Sequence, residues 1–292
     1  MTPRAQDPLA PLVALPGVAE SSEAARAALA TVHRHPANRR GWPTTAAESV
    51  LRGAWASAGV EGASVRLDAD GEHDEVLPAA LRVAGELTGE SLERAVAVWT
   101  RSPLQELAHL HLLAASGPEV HAEALGRPRP EPGVAERLQG LAELVTGGTG
   151  VPAPVLAAVV LGELSGLRPF GSGDGLVARA AFRLVTVSTG LDPHCLGVPE
   201  VTFYRDPGAH RAALDGFVSG TEEGVAAWIR HCCGALEAGA REATSIAGAA
   251  GACGAKGGPA RGRPANSLRF HREIRVPSVL WSAVSPVRDD RR

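Results

Sequence analysis

The chain has 292 residues and a formal net charge of −3, with 45% hydrophobic, 21% charged and 4% aromatic residues. That is enough apolar content for a core, but too few rings to organise it. A wholly disordered chain and a mini-protein are excluded, while the length allows either two ordinary domains or one helical domain with tails. Every basic residue except Lys256 is arginine, Asn occurs only at 38 and 266, and Ile only at 229, 246 and 274. This looks like GC-rich coding, so the arginines do not mark a nucleic-acid surface when 32 acids offset them. Cysteines at 195, 232, 233 and 253 fit neither a disulfide framework nor a metal-ligand spacing, and a reduced, cytoplasmic protein is expected.

In chain order, the apolar stretch from Leu9 to Ala19 is broken by Pro11 and Pro16 and preceded only by Arg4, so no signal peptide is expected. Helices are predicted over 23–34 and 46–59, the second with Leu51, Trp55 and Ala58 on one face and Glu61-Gly62 at its end. Leu92, Val96 and Trp99 mark another helix. Ser102-Pro103 opens the next, whose face reads Leu104, Leu107, Ala108, His111, Leu112 and Ala115, with Gly117-Pro118 as its stop. Three prolines within Gly126–Gly133 make that segment a surface loop. The helical period resumes at Val134, Leu138, Leu141 and Val145. Pro152 and Pro154 open a helix that is apolar on nearly every side through Leu161 and ends near Leu167, the signature of a central buried element. Its apolar run, Val151 to Gly162, stops at Glu163, well short of the ~18 residues a membrane span needs, and no membrane partner is expected. A further helix buries Val177, Ala181, Leu184 and Val185 and closes at Gly190, before a Leu191-Asp192-Pro193 turn. Thr221 caps a last helix with the stripe Val225, Trp228, Ile229, Cys232 and Leu236. Beyond residue 245 the composition turns to Gly, Ala and Arg, and residues 245–292 are expected to be largely disordered. The fold class is all-α, divided into an N-terminal helical extension (1–45), a helical domain (46–244) and the tail.

Chemistry concentrates between the buried helix and its successor, in Arg168-Pro-Phe-Gly-Ser-Gly-Asp-Gly175. Gly171, Gly173 and Gly175 allow backbone amides to converge, and the following helix adds free N–H groups and an aligned dipole, which together make an anion site. Arg168 before the loop and Arg179 one turn into the helix are placed to reach a phosphate. The plainer reading is a Gly-rich turn with Arg179 as an ordinary helix charge.

The run Leu167–Arg179 resembles the signature of the Fic (Fido-domain) family, His-Pro-Phe-x-Asp/Glu-Gly-Asn-Gly-Arg-x-x-Arg. In that family a helix, this loop and a second helix hold ATP for transfer of AMP to protein hydroxyls. Pro169, Phe170, Gly173, Gly175 and Arg179 match; Arg168 stands for the catalytic His, Ser172 for the metal-binding acid, Asp174 for the Asn and Leu176 for the first of two phosphate-binding Arg. Upstream, Ser57-Ala-Gly-Val-Glu61-Gly62 resembles the family's inhibitory pattern, whose Glu pairs with the last Arg of the loop motif, here Arg179. The similarity spans roughly residues 48–240. It extends to Leu110-His-Leu-Leu113, to the Leu191-Asp-Pro193 turn and to 126–133, where the family carries a target-docking flap and where prolines here would interrupt strand pairing.

The resemblance implies a Fic-like helical bundle with a Gly-rich helix-loop-helix anion site and a short flap loop. It implies that Gly171, Ser172, Gly173, Gly175 and Arg179 bind nucleotide, that Ser57, Glu61 and Gly62 inhibit, and that ATP with Mg²⁺ is the family's ligand and a protein its target. Arginine cannot serve as a base at neutral pH, and losing a general base costs about 10²–10⁴-fold. Serine is a poor Mg²⁺ ligand and leucine carries no charge to a phosphate, so little or no AMP-transferase activity is expected. The expected function is a degenerate, nucleotide- or phosphate-binding regulator with a retained Glu61–Arg179 pair. The alternative is an active nucleotidyl- or phospho-transferase that modifies protein hydroxyls with Arg168 and Asp174 in altered catalytic roles. A helical scaffold without a ligand is a third reading.

Other motifs carry less. Arg261-Gly-Arg-Pro264 has the core of an AT-hook without basic flanks, and DNA binding is not expected of it. His109 and His111 lie two apart and so on different helix faces, and no metal site is expected. His194-Cys195 and His231-Cys232-Cys233 are read as structural. The last apolar patch, Val276 to Val287, is flanked by Arg; it is read as part of a loose tail, with docking to a partner as the alternative.

Overall fold

The structure is a computed structural model that describes residues 7–63, 75–115 and 122–255. In chain order the helices are α1 (Ala10–Val13), α2 (Val18–Arg34), α3 (Asn38–Val60), α4 (Val76–Gly85), α5 (Gly89–Trp99) and α6 (Pro103–Ala114). They continue with α7 (Val134–Glu143), α8 (Ala153–Leu167), α9 (Asp174–Ser188), α10 (Glu200–Arg205), α11 (Pro207–Val218) and α12 (Glu222–Ala255), with a wide π-type turn at Leu144–Gly148. The described residues hold no strand, and the class is all-α.

Helix α8 organises the rest. Residues Pro154 to Gly162 and Leu164 are all buried, and a helix apolar all round must be covered on every side. α9 lies along it, α12 packs on both α8 and α2, and α11 leans on α8 and α12. The Trp228 indole on α12 donates to the Ala158 carbonyl of α8 at 2.8 Å, which meets the one polar demand of a fully buried ring. On the far side of α9, α3 packs against α4 and α10. The stripe predicted for α12 is in the core at Trp228, Ile229, Cys232 and Leu236, and the Thr221 hydroxyl accepts from the Gly224 N–H at 3.2 Å.

Several boundaries differ from expectation. α2 begins at Val18 rather than 23, and Val18, Ala25 and Leu29 are fully buried. α3 begins at Asn38 rather than 46 and runs through Pro43, where the Thr45 hydroxyl donates to Asn38 Oδ1 at 2.8 Å and bridges the turns on either side of the proline. The division at 45/46 therefore falls inside a continuous helix, and α2 belongs to the main core. α12 runs to Ala255, ten residues past the expected start of the tail, because Ile246 and Ala247 are buried. Helices α4, α10 and α11 carry no counterpart in the sequence reading, although Asp206 caps α11 through the Ala209 N–H at 2.8 Å and Pro207 opens it. The Gly117-Pro118 stop, the Arg261–Pro264 motif, the Val276–Val287 patch and the tail after 255 lie outside the described residues.

Two histidines, His210 buried and His231 half-buried, pair between α11 and α12. His210 Nδ1 and His231 Nε2 are 3.1 Å apart, and His210 stacks on Phe203 with ring centroids 4.2 Å apart. One proton is shared, so both rings are neutral in the fold. Burial, with His231 and Arg179 nearby, pushes the His210 pKa down to about 3. A histidine depressed in the fold takes up protons only on unfolding. Its stabilisation is complete above the unfolded pKa near 6.5 and is lost as pH falls toward 3. From His210 alone we expect unfolding free energy to be about 2 kcal/mol lower at pH 5 than at pH 8, and His210→Gln to remove most of that difference. Urea titrations at the two pH values check it.

Candidate functional site

The loop between α8 and α9 is tied from within and from below. α8 ends on Arg168 in the left-handed conformation, φ 48°, which turns the chain away from the helix axis. Asp174, the first residue of α9, accepts the Phe170 N–H through Oδ1 at 2.9 Å and so closes the loop on itself. Its Oδ2 is buried without a partner, and burial pushes the carboxyl above the usual carboxylate range against the Phe170 and Gly171 amides. Gly173 has φ +64°, and a Cβ there would press on Ala114 at the end of α6 at 2.9 Å, so only glycine lets the loop seat on that helix.

The Ser57-x-x-x-Glu61 pattern and Arg179 meet in space. α3 ends at Val60 and α9 points its first turn at that end. The Arg179 guanidinium donates to Ser57 Oγ at 2.6 Å, to the Ser57 carbonyl at 3.1 Å and to Glu61 Oε1 at 2.8 Å, across 118 residues of sequence for the last of these. Arg179 and Ser57 are buried, whereas the Glu61 side chain is 33% exposed. The carboxylate also lies over the first turn of α9, and a Cβ at Gly175 would fall on it. An anion at a helix N-terminus is favoured by the free N–H groups and the dipole, and here Glu61 supplies that anion. Gly62 follows with φ +89° and ends the segment.

Arg129, which the sequence did not single out, holds the loop from the 126–133 side, and His111, expected to be structural, holds it from α6. Arg129 bonds its backbone N–H to the Pro169 carbonyl at 2.7 Å, its Nε to the Arg168 carbonyl at 2.9 Å and a terminal nitrogen to the Leu167 carbonyl at 3.2 Å. Its charge thereby caps the C-terminus of α8. His111, fully buried on α6, accepts the Gly126 N–H on Nδ1 at 2.9 Å, which leaves the proton on Nε2 for Ser172 Oγ at 3.4 Å. Its ring stacks on Phe170, centroids 4.2 Å apart. With Nε2 protonated and burial holding its pKa below the usual value, His111 is a strut and not a base for Ser172. The signal for Arg129 was a charge inside a proline-rich loop, which no periodicity registers. Arg129→Ala should leave the helices intact and speed amide exchange at Phe170, Gly171 and Ser172 by about tenfold, as three anchors fall to one backbone bond; mass-spectrometric hydrogen exchange checks it.

The Arg168 side chain is exposed; its carbonyl accepts from Arg129, and its charge opposes the rise in the Asp174 pKa. Leu176 is buried and joins the apolar core that Val83 and Ala84 of α4 and Leu87 beyond its end also supply. Its leucine is thus matched by its surroundings, which would not receive a charge. Around the loop the side-chain oxygens are one hydroxyl already bonded to His111, the loop-tied Asp174 carboxyl and the Glu61 carboxylate paired with Arg179, a set that does not fit Mg²⁺. No group of three metal-ligating side chains occurs among the described residues. The helix N-terminus with Arg179 does fit a phosphate, since a carboxylate already sits there. No protein-family model matches the chain, and no curated protein matches it.

Proposed function

We propose that the chain is a degenerate Fic-like protein, a regulator that binds a nucleotide or phosphate at the N-terminus of α9 and has little or no AMP-transferase activity. The observation that carries this reading is the Arg179 cluster, in which Ser57 and Glu61 reach across from α3 and a carboxylate occupies the anion position over Gly175. Glu61 is the exposed member of the trio and Arg179 the buried one. A terminal phosphate entering from solvent would therefore displace Glu61 while Ser57 continues to hold Arg179. Arg168 offers no proton-accepting group to an attacking hydroxyl, and the loop supplies no acid set for Mg²⁺, so binding is proposed to be metal-independent.

Calorimetric titration of ATP, ADP and GTP, with and without Mg²⁺, tests this. Weak binding to the wild type, tighter binding to Glu61→Gly and none to Arg179→Ala support the pocket; no binding to any of the three rejects it. The transferase reading draws on Asp174, whose raised pKa and unpartnered Oδ2 suit a group that exchanges a proton. Labelled ATP incubated with the Glu61→Gly variant and lysate, leaving every protein unlabelled, would reject that reading.

A further inference from the structure

We propose that residues 276–287 of this same chain dock in the apolar groove between α6 and α7. The groove has a volume of about 700 Å³. Buried Leu107, Leu138 and Phe170 form its floor, Leu104, 38% exposed, stands at its rim, and Glu136 and Glu143 flank the mouth from α7. The lining is mostly apolar and lies beside the α8–α9 loop, the character of a cleft that takes up a small apolar segment.

Three observations select the occupant. Within residues 256–292, Val276–Val287 is an apolar stretch containing Leu280 and Trp281, with Arg275 and Arg288 at its ends, opposite in charge to Glu136 and Glu143 on the α7 wall of the groove. The charges are divided in the same sense: residues 256–292 carry nine Lys or Arg against three Asp or Glu, a net +6, which leaves −9 on residues 1–255 of a chain whose total is −3. Opposite fields of that size favour association and fix its orientation. The reach is also sufficient. About 20 residues separate the end of α12 from Val276 and span up to about 65 Å when extended, against a radius of gyration of about 18 Å for a domain of this length. A tethered segment works at an effective concentration in the millimolar range, so modest contacts suffice. The proposal concerns the groove alone and stands or falls separately from nucleotide binding.

The test uses the full chain with Trp281 replaced by the photo-crosslinker benzoylphenylalanine, irradiated and mapped by mass spectrometry. Crosslinks to α6 or α7 within the monomer are expected. Reversing Glu136→Arg and Glu143→Arg together, both at exposed positions, should lower their yield about fivefold, and adding Arg275→Glu with Arg288→Glu should restore it. Crosslinks found only in dimers, which would put a second copy in the groove, or found elsewhere on the chain, overturn the proposal. So does a yield that the charge reversal leaves unchanged.

Discussion

Glu61→Gly is expected to weaken the fold and strengthen anion binding at once. Arg179 is buried, and its partners are Ser57 Oγ, the Ser57 carbonyl and Glu61 Oε1. Removing Glu61 leaves a buried guanidinium with neutral acceptors only, and an under-satisfied charged group costs about 1–3 kcal/mol. For a chain of this size each kcal/mol lowers the melting temperature by about 2–4 °C. Glu61 closes α3 at the C-cap position with φ −79°, so glycine there brings no backbone relief to offset the loss. The same substitution vacates the first turn of α9 and leaves Arg179 seeking an anion, and a coupling of about 1–3 kcal/mol corresponds to about 5–150-fold tighter nucleotide binding. Glu61→Gln, which keeps a hydrogen-bond acceptor but no charge, should fall between. Thermal unfolding with and without ADP separates the two effects. A variant as stable as wild type with unchanged affinity would mean that Glu61 restrains nothing, and one that loses stability without gaining affinity would leave the contact structural.

Much of this site was legible because its parts are local. The apolar period of α8, the glycines of the loop, the first turn of α9 and the end of α3 each declare themselves within a few residues, whereas the pairing of Glu61 with Arg179 was expected only from the resemblance to the Fic family. What escaped the sequence are the contacts that join distant residues through polar side chains. Arg129 reaches carbonyls 38 and 39 residues away, His210 meets His231 across 21, and Arg52 bonds Glu242 across 190. Charged and imidazole side chains pattern as surface in any periodicity, yet Arg52, Arg183, Glu200 and His210 are all buried. Helix α4 was missed although Ala79, Ala80, Val83 and Ala84 make a buried stripe, for its N-cap Glu75 makes no side-chain cap bond, and α10 breaks at Asp206 after only six residues.

Arg183→Met is expected to destabilise the protein by about 3–5 kcal/mol, the largest effect of any single substitution considered. Arg183 lies one turn beyond Arg179 on α9, is buried, donates to the Gly197 carbonyl, and faces Glu200 at 3.4 Å. Burial alone would lower its pKa, but Cys195, Glu200 and Asp192 around it together outweigh that and raise it, so the guanidinium stays charged. Asp192 in turn is held by His33 at 2.9 Å and by the amides of Leu196 and Gly197 at 2.9 and 2.7 Å, so the 192–197 turn and α9 share one network. Methionine keeps the volume and the helix propensity but strips the charge, and Glu200, whose Oε2 already lacks a partner, is left buried and alone. Adding Glu200→Leu should restore most of the loss, because an apolar pair replaces a buried ion pair at little cost where a lone charge does not. Thermal and urea unfolding of the single and double variants distinguish this account from a packing defect. A double variant no more stable than Arg183→Met, or less stable, would locate the cost in packing around α9 and not in the stranded carboxylate.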